Sequence, residues 1–149
     1  GQAGIKTLLI DANMRDSGLA SLIRPEESGP GLLQCLTDET LSFADVIQTD
    51  ILPGFSMIHA GGAAAQPQEL LTGRDFKALI EVCLRDFDVT IVDTPPASKC
   101  ADARAVGAVL RYALVVLKRN VSYVSDARML IEELKSDHVS VVGTFLNGY

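Results

Sequence analysis

Tryptophan is absent from the 149 residues, and aromatic side chains make up only 5% of them. A sugar platform needs such rings, so a glycosidase-like acid pair finds no support here. Histidine is almost missing too: His59 and His138 are the two present, and no G-x-S-x-G elbow accompanies them. That excludes a Ser/His/Asp nucleophile, and both histidines read as structural or surface residues. Cysteine is scarce and odd in number. Cys35, Cys83 and Cys100 form neither a CxxC nor a Cys/His cluster, which excludes a disulfide framework and a zinc site and fits a reducing cytoplasm. No apolar run approaches the ~20 residues of a membrane-spanning helix, and no signal peptide is visible. Work at a membrane would then require something else to bring the chain there. Basic residues are outnumbered 13 to 19, for a net charge of −6, which argues against a nucleic-acid surface.

What is present is a normal soluble composition, 48% hydrophobic and 21% charged, long enough for one domain with one core. The pattern alternates strands and helices. Strands are expected at 7–10, 55–59, 89–92, 112–117 and 140–146, with 112–117 buried like 89–92. Helices are expected near 31–36, 42–47 and 68–71, at 74–85, from a cap at Asp102, and from a cap at Ser122. Phe76, Leu79, Ile80 and Cys83 fall at i, i+3, i+4 and i+7, so helix 74–85 should pack an apolar face on the sheet. Residues 1–4 resemble a helix tail with a glycine cap, and Ser17 could help cap a short helix reaching Ile23. Residues 61–66, G-G-A-A-A-Q, read as a plain loop. The whole is an α/β layer fold, a mostly parallel sheet flanked by helices on both faces. No linker divides it, so 1–149 is expected to be a single domain.

The chain is organised around Val89–Pro96, V-T-I-V-D-T-P-P. A short β-branched run ends at Asp93, and Thr94, Pro95 and Pro96 stop it with a stiff exit. Such a run fits a parallel strand covered on both faces, and ligands bind at the C-terminal edge of such strands. Asp11 ends Thr7–Ile10 in the same manner. Two acids at one edge repel unless a cation sits between them or one stays protonated. Mg²⁺ held by one or two carboxylates plus phosphates is the economical answer.

At this point the residues match a family. T-L-L-I-D-A-N-M-R (Thr7–Arg15) resembles the Walker A′ motif of bacterial tyrosine kinases, and Val89–Pro96 resembles their Walker B. A-G-G-A-A-A-Q-P-Q-E-L-L (Ala60–Leu71), Gly31-Leu32-Leu33 and the closing G-T-F-L-N (Gly143–Asn147) fit in order. The nearest subgroup is the chain-length-determinant kinases of exopolysaccharide biosynthesis, relatives of the MinD/ParA ATPases. The resemblance implies a P-loop NTPase-like fold, ATP and Mg²⁺ as cofactors, and Asp11 and Asp93 as metal-binding and catalytic residues. Asp11 would be the base for the tyrosine hydroxyl. Asn13, Arg15, Thr94, Pro95 and Asn147 would bind the nucleotide, with Asn147 reading adenine. It also implies an inner-membrane polysaccharide co-polymerase as partner, a location at the cytoplasmic face of that membrane through it, and a possible homo-oligomer. Nucleic acid and direct membrane insertion are not expected.

Departures are equally legible. These residues hold no G-x-x-x-x-G-K-[ST], the loop that cradles phosphates, so the chain is expected to be a fragment of a kinase domain without Walker A. The family's second A′ acid is Asn13 here, its P-x-N-P asparagine is Gln66, and its tyrosine-rich tail is missing. Two alternatives remain in play: a MinD/ParA-type ATPase, and a non-catalytic module that keeps the fold to engage a partner.

Overall fold

The run Thr7–Asp11 (β1) forms an inner strand of a sheet. The computed structural model describes residues 4–16, 18, 19, 23 and 29–148. They group as two units, residues 1–95 and 96–149. Strands and helices alternate along the chain as expected, and the fold is α/β with a mixed sheet. The expected helix tail at 1–4 and the helix capped at Ser17 lie wholly or largely outside the described residues.

In the first unit, β1 pairs in parallel with Phe55–Ile58 (β3) on one side and with Val89–Asp93 (β4) on the other. Gln48–Leu52 (β2) pairs antiparallel with β3. This strand was not expected from the sequence. Pro53-Gly54 is the tight turn of its hairpin, with Gly54 at φ 69°; proline and then a left-handed glycine is the signature of a type II turn. Leu32–Thr37 (α1), Phe43–Val46 (α2), Pro67–Thr72 (α3) and Arg74–Asp86 (α4) complete the described helices of this unit. Pro67 takes the first turn of α3, where its missing N–H has no helical partner to lose. Asp45 Oδ2 accepts from both the N–H and the hydroxyl of Ser42, at 2.8 and 2.6 Å, which starts α2. The apolar stripe of α4 is buried as its spacing predicts. It joins Leu8, Ile10, Met14, Ile58 and Leu71 in the core.

The second unit holds Asp102–Leu110 (α5), Tyr112–Lys118 (β5), Val124–Ser136 (α6) and Ser140–Asn147 (β6). β5 and β6 run parallel, and Val115, Leu134 and Val139 form the core beneath them. Arg104 forks onto Asp137, Nε to Oδ2 at 2.7 Å and Nη2 to Oδ1 at 3.1 Å, tying α5 to the end of α6.

Two burial expectations are corrected. β4 is not covered on both faces: Val89 and Ile91 are 40% and 52% exposed. In β5 only Val115 is buried, while Leu114 and Val116 face outward. An apolar run marks a strand, but coverage depends on elements that the run does not contain, and the described residues leave these faces open. A third correction concerns the two expected helix caps: Asp102 is the first residue of α5, behind Ala101 at the cap position, and Ser122 does not cap α6. Tyr123 occupies the cap position of α6, and the Ser122 hydroxyl accepts from Lys118 N–H at 2.9 Å instead. Among the described residues, no helix is long and apolar enough to cross a membrane.

Candidate functional site

Parallel pairing brings the two acids together. Asp11 and Asp93 are register partners at the C-terminal ends of β1 and β4, and the chain stays paired one step further through Ala12 N–H to Asp93 C=O at 2.9 Å. Asp11 is fully buried. Its Oδ1 accepts the Asn13 N–H at 3.0 Å, which fixes the plane of the carboxylate. Burial pushes the Asp93 carboxyl above the usual carboxylate range, and the Asp11 charge pushes the same way; the Thr94 N–H opposes both. This is the behaviour of a like-charge pair that shares a poorly solvated place.

The other expected site residues stand as follows. Thr94 and Pro95 follow β4 directly, and Pro95 is buried. Asn13 turns its carboxamide back into its own loop: Oδ1 accepts from Asp16 N–H at 3.0 Å and Arg15 N–H at 3.3 Å, and Nδ2 donates to Asp16 C=O. The asparagine thus shapes the loop that carries it. Arg15 is exposed beside it. Asn147 ends β6 in the second unit, where its C=O accepts from Arg119 N–H at 2.9 Å.

Among the described residues no three His, Cys, Asp or Glu side chains gather as a metal cluster. A two-carboxylate edge still fits Mg²⁺, which takes one or two carboxylates and completes its shell with phosphate oxygens and water. A groove of about 340 Å³ lies elsewhere on the first unit, lined by Leu33, Thr37, Ala64, Gln66 and Leu70 among others, and neither acid lines it.

The contacts of this loop were not legible in the sequence. His59 Nδ1 accepts the Gly61 N–H at 3.2 Å, while its Nε2 is buried with no hydrogen-bond partner among the described residues. Ala64 N–H donates to Met14 C=O at 3.0 Å, so residues 61–66 are bound to the Asp11 loop instead of lying free of it. Only the glycine pair at 61–62, both at positive φ, could have hinted at a shaped turn.

Comparison with known proteins gives a consistent outcome. No family model matches the chain. The tyrosine-protein kinase ptk of Acinetobacter johnsonii is 30% identical over 146 residues, covering 98% of this chain and 20% of that protein. The kinase domain of the Escherichia coli tyrosine kinase ETK superposes with a TM-score of 0.90 at 29% identity, covering 99% of this chain and 57% of that one. The septum site-determining protein MinD complexed with Mg-ADP, from Pyrococcus horikoshii OT3, superposes at 0.77 with 17% identity, covering 99% and 60%; at that identity the likeness is one of fold. The chain therefore spans a fifth of the first relative and just over half of the first structure.

Proposed function

We propose, with similarity to bacterial tyrosine kinases as the premise, that this chain is part of an ATP-dependent protein-tyrosine kinase domain that acts in capsule or exopolysaccharide export. One observation carries the proposal: two carboxylates at paired positions on neighbouring parallel strands, one of them fully buried. Asp11 and Asp93 would hold Mg²⁺. Bound Mg-ATP would supply the phosphoryl group, and its Mg²⁺ would neutralise the charge that builds up during transfer. Asp11, oriented by the Asn13 N–H, accepts the proton of the tyrosine hydroxyl. Asp93 would share the cation, and Thr94, Pro95, Asn13 and Arg15 would border the nucleotide. The polysaccharide co-polymerase partner, the membrane-face location and self-association rest on the similarity alone.

The test joins these 149 residues to an N-terminal segment that carries a P-loop and follows radiolabelled phosphate onto tyrosine. Asp11→Asn should lower turnover by about 10²–10⁴-fold, the range for a positioned general base, with the fold retained. Unchanged turnover would sink the assignment of Asp11. The likeness to MinD supports a second reading, an ATPase. Release of inorganic phosphate with no phosphotyrosine formed would favour it.

A further inference from the structure

We infer that Gln34 is a positioning residue for the Asp11 loop, acting through residues 61–64. Its role in catalysis rests on the kinase reading above; its role in holding the loop does not. The Gln34 carboxamide uses both ends. Oε1 accepts the Gly31 N–H at 2.9 Å, at the start of α1, and Nε2 donates to Gly61 C=O at 2.9 Å, 27 residues away. Between these anchors two backbones touch. A Cβ on Gly31 would sit 2.5 Å from His59 C=O and 2.6 Å from Gly61 Cα, and a Cβ on Gly61 would collide with Gln34 Oε1. Only glycine on both sides allows the approach. Leu32 and Leu33 donate their N–H groups to His59 and Ala60 C=O at 2.8 and 3.0 Å, so the exit of β3 is strapped to the first turn of α1.

The strap continues to the acids. Three residues past Gly61, the Ala64 N–H holds Met14 C=O at 3.0 Å. Met14 belongs to the same short turn in which Asn13 N–H orients Asp11 Oδ1. The exit of β3, the 61–64 loop and the Asp11 turn thus form one hydrogen-bonded path, and the Gln34 amide N–H₂ donates into it at Gly61 C=O. Glutamine is the residue type this needs, because one carboxamide both accepts and donates.

The two arms can be separated. Gln34→Glu keeps an acceptor for Gly31 N–H, as a capping box allows, but sets a carboxylate against Gly61 C=O. Amide hydrogen exchange on the 149-residue chain reads the result without any need for kinase activity. Protection of the Ala64 and Asn13 amides should fall at least tenfold, while the α1 amides of Cys35 and Asp38 keep theirs. Lowering the pH until the introduced carboxyl is protonated should restore part of the loss, since a carboxylic acid can donate again. Gln34→Leu, which lacks both arms, should lose protection at all four amides and recover none with acid. If Ala64 and Asn13 stay protected in Gln34→Glu, the loop is held without this residue and the inference is wrong. If all four amides fall together in Gln34→Glu, Gln34 is only a helix cap, and the inference is equally wrong. In the P-loop-bearing chain, Gln34→Glu should lower kcat about tenfold and leave KM for the tyrosine substrate near its original value. A wild-type chain with no kinase activity would remove the kinase reading and leave the exchange result standing.

Discussion

Asp93 shows how a single residue can work against the fold that carries it. Its carboxyl is held above the usual range by burial and by Asp11. A raised carboxylate pKa adds stability only while the group is protonated, and the contribution is lost as pH rises through the folded-state value. Once ionised, Asp93 therefore costs stability. Asp93→Asn should melt higher than the parent chain at pH 7 without added metal, and the gap should close as pH falls into the carboxylate range. A lower melting temperature at pH 7 would mean that the acids brace the structure. Asp11 and Asp93 were legible in the sequence because each ends a short apolar run, and parallel pairing then made them neighbours. Gln34 and the inward turn of Asn13 were not. A carboxamide carries no periodic signal, and the partner of Gln34 lies 27 residues off.

Among the elements, α4 was the most legible, since four apolar residues at helical spacing leave few other folds open. The hairpin strand β2 was missed because Gln48-Thr49-Asp50 is polar and gives no strand signal of its own; it pairs because Pro53-Gly54 folds it back on β3. Helix α5 carries a glycine in its interior, Gly107, against Leu134 and Val139. A Cβ there would meet these side chains at 3.5 Å, ordinary contact distance. Gly107→Ala should therefore stabilise by about 0.5–1 kcal/mol, the usual difference between glycine and alanine inside a helix. That corresponds to a rise of about 1–4 °C in Tm, and a fall would show that the α5–α6 contact is tighter than its distances suggest.

For the molecule as a whole, the α/β class followed directly from the alternation of strands and helices, while the grouping into two units did not, because the linking stretch after Pro95 looks like any other loop. The 149 residues contain no P-loop motif, and that motif makes most of the anion contacts in sites of this kind. Calorimetric titration of this chain with Mg-ATP should find weak binding or none, and a micromolar Kd would mean that other groups cradle the phosphates. The pairing of β1 with β4 has a consequence in time. Their partner positions lie 82 residues apart, as Lys6 and Asp88 at the foot of the pair do. At a synthesis rate of roughly 5–20 residues per second, β1 leaves the ribosome roughly 4–16 s before the strand it must pair with. Within these residues Leu8 and Ile10 gain β3 as a neighbour first and β4 only at the end of that interval, so their sheet partners are completed last on the β4 side.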